Sequence, residues 1–108
     1  MFLINLSDFC RNFAFYRKAL ASNPSERVSI QCRELDGATF WLVPTIKDLD
    51  VIVEPTITAT EIKNKSIVLP AIKEIHEDPE IAVEIKTTNK PSMFVVHPEA
   101  LENLGDIQ

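Results

Sequence analysis

The order of local signals along this chain occurs twice. The first run opens with Ile4-Asn5-Leu6-Ser7-Asp8-Phe9-Cys10-Arg11-Asn12. It passes through a helix-like segment and Asn23-Pro24 to Val28-Ser29-Ile30, then to Phe40-Trp41-Leu42-Val43-Pro44. The second run opens with Ile57-Thr58-Ala59-Thr60-Glu61-Ile62-Lys63-Asn64. It passes through another helix-like segment and Asp78-Pro79 to Val83-Glu84-Ile85, then to Phe94-Val95-Val96-His97-Pro98. The small length differences fall at turns, where surface loops tolerate insertion. Two copies are too few for a solenoid, and one copy alone would bury little core. The doubled order therefore predicts an α+β fold of two repeated helix-plus-β-hairpin units, paired as an intrachain pseudo-dimer. Residues 1–54 form the first unit with its connecting segment, and residues 55–108 form the second.

The 108 residues suffice for one domain, and 45% apolar with 25% charged residues is ordinary globular composition. No apolar run approaches the ~20 residues that span a bilayer. The N-terminus lacks the charged region and cleavage site of a signal peptide, so the expected location is the cytoplasm, with no membrane association. Cys10 and Cys32 have no C-x-x-C spacing and are expected to be buried or half-buried free thiols. Charge is uneven. Residues 1–47 hold six Lys/Arg against four Asp/Glu, and residues 48–108 hold five against twelve, which gives −5 overall. Any nucleic-acid contact is expected to be local and confined mainly to the first half.

Phe9, Phe13, Tyr16 and Leu20 form one apolar stripe at helical period, which predicts a helix over 7–22. Ser7 is its expected N-cap with Asp8 behind it, Arg17 and Lys18 lie in the expected last turn, and Asn23-Pro24 ends it. Val28, Ile30 and Cys32 alternate with polar residues as in a strand. Leu35-Asp36-Gly37 marks a turn, and Ala38 to Val43 completes a hairpin that Pro44 closes. Trp41 is expected to pack. Residues 45–56 connect the units, with Val51-Ile52-Val53 as an edge strand ended by Glu54-Pro55. In the second unit Thr60 is the expected cap, and Ile62, Ile67, Leu69, Ile72 and Ile75 form the apolar face. Pro70 is expected to kink or divide the helix. Val83 to Lys86 and Ser92 to Val96 form a second hairpin around Thr88-Asn89-Lys90-Pro91. Pro98 opens a last helix, ended by Gly105.

Both units resemble the N-terminal domain of the prevent-host-death (Phd/YefM) antitoxins. The second unit matches through Ile57 to Asn64 and through Val83 to Leu101, and the first through Ile4 to Phe13 and Phe40 to Pro44. The resemblance implies an α+β fold that pairs, usually as a homodimer. It implies operon repression through basic residues of the first helix and the strand turn, and toxin neutralisation through a C-terminal extension. Two departures stand out. The turns are poor in Arg, with Arg33-Glu34-Leu35-Asp36-Gly37 carrying two acids and the second turn carrying only Lys90. Few residues follow Leu104, so a toxin-wrapping tail is not expected, and segment 45–56 or the folded face would hold a partner.

No catalytic constellation emerges. His76 and His97 lack ligand spacing, no Ser/His/Asp elbow exists, and two glycines cannot cradle a phosphate. The expectation is a binding protein rather than an enzyme, with no metal and no cofactor. The leading reading is an antitoxin-like protein that sequesters a protein partner, a basic nuclease toxin fitting the acidic surface, with operator repression as an added role. Asp48, Asp50, Val51, Val53 and Glu54 are its candidate protein-contact residues. One alternative is a DNA-binding transcriptional regulator without a toxin, using Arg11, Arg17, Lys18 and Arg33 on phosphates. Another is a small phage- or plasmid-type inhibitor of a host protein. The pseudo-dimer is expected as a monomer or a further homodimer.

Overall fold

The computed structural model describes residues 2–101. The chain forms a mixed α+β fold on a six-stranded mixed sheet. The elements are β1 (Phe2–Asn5), α1 (Leu6–Arg11), α2 (Phe13–Ser22), β2 (Val28–Cys32), β3 (Ala38–Val43), β4 (Ile52–Thr58), α3 (Lys65–Glu77), β5 (Ile81–Thr87) and β6 (Lys90–Val96). Short 3-10 turns lie at Arg33–Leu35 and Glu61–Lys63, and 98–101 is helical. The strand order is β1-β2-β3-β6-β5-β4. Each outer strand runs parallel to its neighbour, and the helices between them supply the crossover that parallel pairing needs. β2–β3 and β5–β6 are antiparallel hairpins, and β3 and β6 join antiparallel at the centre.

The helix expected over 7–22 is broken at Asn12, whose φ of −118° and ψ of 29° leave the helical region. Its side-chain amide donates back to the Asp8 carboxylate one turn earlier. The apolar stripe runs through this break, with Phe9, Phe13, Tyr16 and Leu20 all buried. The cap is Asn5 rather than Ser7: Asp8 N–H donates to Asn5 Oδ1 at 2.7 Å. Arg17 and Lys18 lie mid-helix rather than in the last turn, since α2 runs on to Ser22 and its last turn holds no basic residue.

The second half repeats these corrections. Thr58 Oγ1 accepts from Glu61 N–H and Glu61 Oε1 accepts from Thr58 N–H, both at 3.1 Å, a reciprocal capping pair two residues before the expected Thr60. The break falls at Asn64, which caps α3 by accepting from Ser66 N–H at 3.0 Å. α3 continues through Pro70 without being divided. Pro70 is the sixth residue of α3, so the helix forgoes a single bond, to the Ser66 carbonyl. Its buried face is Val68, Ala71, Ile72 and Ile75, whereas Ile67 is 39% exposed.

The connection is shorter than expected, since β4 starts at Ile52 and runs past Glu54 and Pro55 with an irregularity in register between Val53 and Thr56. The 54/55 unit boundary falls inside this strand. The second hairpin turns on Thr88 and Asn89 alone, with Asn89 at φ 59°, so Lys90 and Pro91 belong to β6. In the first hairpin Asp36 (φ 57°) and Gly37 (φ 78°) make the turn, and Gly37 N–H donates to the Cys32 carbonyl at 3.0 Å. Leu104 and Gly105 lie outside the described residues.

One apolar core covers the helix side of the sheet and draws on both halves: Leu6, Phe9, Phe13 and Leu20 meet Ile72, Ile75, Val83, Ile85 and Val95. On the other side Ala82, Val96 and Ala100 pack with Trp41, Val43, Ile46, Leu49 and Val51. The connecting segment is thereby a cover for the second sheet face. Trp41 packs there, with the Arg27 guanidinium 5.6 Å from its ring centre. Among the described residues no helix is long and apolar enough to cross a membrane. Phe13→Ala is expected to lower unfolding free energy by about 3–5 kcal/mol in urea titration, the range for a buried Phe. A loss under about 1 kcal/mol would place this stripe outside the shared core.

Candidate nucleic-acid interface

Asn5 ends β1 and caps α1, so α1 leaves the sheet edge and crosses the helix side toward the second half. There it meets the Glu61–Lys63 turn and the start of α3. This crossing creates a row of shallow grooves. The first is lined by Asn5, Ser7, Gln31, Arg33, Glu34 and Lys65. The next shares Ser7 and Lys65 with it and adds Arg11 and Lys63. A third shares Arg11 and Lys63 and adds Arg17, Thr60 and Thr87. A fourth shares Thr60 and Thr87 and ends on Lys86 and Lys90. Because neighbours share residues, the four grooves form one continuous strip.

Cations dominate that strip. Arg11, Arg17, Arg33, Lys63, Lys65, Lys86 and Lys90 line it, and among the described residues Glu34 is the one carboxylate that does. Seven of the eleven Lys and Arg of an acidic chain are gathered here. Two nearby acids are engaged in local structure. Glu61 holds Thr58. Asp8 accepts from the Tyr16 hydroxyl at 2.6 Å and from the Asn12 amide. The Tyr16 bond, then the Asn12 bond, holds the Asp8 carboxyl below its ordinary range. The acids Glu74 and Glu77 and the C-cap Asp78 lie toward the far end of α3, about 14 to 20 Å from Lys65 at the rise of an α-helix.

Of the four expected phosphate-contacting residues, Arg11, Arg17 and Arg33 lie on the strip, whereas exposed Lys18 lines none of its grooves. Lys63, Lys65 and Lys86 were not singled out by the sequence. One signal pointed to Lys63: Arg11-Asn12 and Lys63-Asn64 close the two copies of the opening motif, and both cations meet in one groove. The strip is therefore not confined to the first half. Within the expected protein-contact segment, Asp48, Asp50, Val53 and Glu54 are exposed and Val51 is half-buried.

The buried thiols are free. Burial pushes Cys10 up to about 11 and raises Cys32 as well, which disfavours the nucleophilic thiolate. His76 lies exposed near the end of α3, and His97 Nδ1 accepts from Glu99 N–H at 3.1 Å as a cap for 98–101. Among the described residues no three His, Cys, Asp or Glu side chains converge as metal ligands. Comparison with known protein families, with characterised proteins and with solved structures finds no match to this chain.

Asp8 has a depressed folded-state pKa, so its contribution is present above the ordinary carboxylate value and is lost as pH falls through the folded one. Removing its main donor with Tyr16→Phe is expected to cost on the order of 1 kcal/mol at neutral pH, discounted for solvent screening. Chemical denaturation along a pH series should show that gap shrinking as pH drops below about 4. A gap independent of pH would mean that Tyr16 acts by packing alone.

Proposed function

We propose that this protein is a DNA-binding regulator of the Phd/YefM kind, with the two contact sets of a dimer carried in one chain as an internal pseudo-dimer. The observation that carries the reading is the cationic strip built from both halves in an otherwise acidic molecule. Duplex DNA presents a regular line of phosphates, and a continuous row of Lys and Arg can neutralise several at once. Two parallels support the pairing of like units. Each half has a parallel outer strand followed by a hairpin, and each opens its helical part with a capped short turn that ends in a basic residue and Asn. Arg33 and the pair Lys86 and Lys90 then flank the strip from the two strand turns, where the resemblance expects phosphate contacts.

This ordering reverses the expectation drawn from charge along the sequence, which placed a protein partner first. Capture of a protein partner, the antitoxin reading, keeps one supporting feature. Ile52 and Val53 are exposed on the edge strand beside Asp50 and Glu54, the kind of apolar patch with an acidic rim that suits a basic partner.

Anisotropy titration of a labelled duplex from the upstream region tests the proposal. The log affinity should fall with log salt at a slope between about −4 and −6. Arg11→Ala with Lys63→Ala should reduce that slope by about 2, and Lys18→Ala should leave it unchanged. Absence of binding at low salt, or a slope insensitive to the double change, would overturn the DNA reading in favour of partner capture.

A further inference from the structure

Glu34 is the anomaly of the strip. It stands in the first groove, where the two halves meet, and every other polar side chain there carries a donor: Asn5, Ser7, Gln31, Arg33 and Lys65. Its Oε2 lies 2.7 Å from Lys65 Nζ, and the same ammonium donates to Ser7 Oγ at 3.2 Å. Lys65 comes from α3, Ser7 from α1 and Glu34 from the turn after β2, so three separate elements meet at one ammonium. Both ends of the ion pair are partly exposed, at 41% for Lys65 and 35% for Glu34. Such a pair contributes little to folding, and either side chain can swing away without leaving a charge buried.

We propose that this groove is a phosphodiester subsite and that Glu34 fills it as an internal anion when DNA is absent. The inference rests on the DNA-binding reading above and adds a regulatory contact to the same surface. A carboxylate offers two anionic oxygens to Lys65, as a phosphodiester does. A phosphate entering the groove would take the Lys65 ammonium directly and meet the Ser7 hydroxyl and the Gln31 amide. Glu34 then has to leave, and until it does it repels the incoming charge. It thereby weakens binding to any duplex and hides one phosphate contact from the salt dependence. Glu34→Gln keeps the shape and the hydrogen-bonding reach while removing the charge.

The test compares the full-length wild type, Glu34→Gln, and Glu34→Gln combined with Lys65→Ala on the labelled duplex across a KCl series, with a thermal melt of each to check folding. Glu34→Gln should bind several-fold tighter at low salt, with a slope steeper by about 0.9, one further phosphate neutralised. Adding Lys65→Ala should erase both gains. If wild type and Glu34→Gln bind DNA with the same affinity and slope, the subsite is refuted while the DNA reading stands. If no form binds duplex, the DNA reading falls, and titration with inorganic pyrophosphate followed by amide NMR decides the subsite separately. Saturable shifts at Ser7, Gln31 and Lys65 that are stronger in Glu34→Gln would uphold it as an anion site, and their absence would dismiss it.

Discussion

Everything else in this structure depends on the seam between β3 and β6. Only three residue pairs register there, Trp41 with Val96, Leu42 with Val95 and Val43 with Phe94. The seam holds because both its faces are covered. Leu42 and Val95 point into the main core beneath the helices, and Trp41, Val43 and Val96 lie under the 45–51 segment and the 98–101 turn. Cross-strand apolar pairs of this kind are the unit of sheet stabilisation. Joining the halves here turns two three-stranded pieces into one six-stranded sheet. It also fixes where α1 must cross, and so brings Arg11 next to Lys63.

The fold was legible wherever apolar periodicity carried it. The stripe from Phe9 to Leu20, the buried set Val28, Ile30 and Cys32, and the strand from Ala38 to Val43 stand as the residue pattern predicts, although Ser29, between Val28 and Ile30, is buried as well. The helix breaks were not legible, because the stripe passes through Asn12 in phase. The break shows only in the backbone of Asn12, at φ −118° and ψ 29°, which periodicity does not record. Both caps were placed two residues late for a related reason. Asn5 and Thr58 are the last residues of strands, so a capping residue and a strand end coincide.

The cationic strip was half legible. Counting charge along the chain made the second half look repulsive to DNA, since its acids outnumber its cations. Folding separates them. α3 begins with Lys65 at the strip, whereas its acids Glu74 and Glu77, with Asp78 after them, lie toward its other end. Residues far apart in sequence, such as Glu34 and Lys65, then become partners at 2.7 Å. Net charge describes long-range steering, but the field in a groove depends on which side chains line it.

If one chain carries both contact sets of a dimer, as proposed, a single copy should occupy a single operator. Sedimentation of the protein with a single-site duplex weighs that complex. It should find one 12.2 kDa chain per duplex, saturating at an equimolar ratio. Two chains bound cooperatively to one site would mean that each chain acts as a half rather than as the pair.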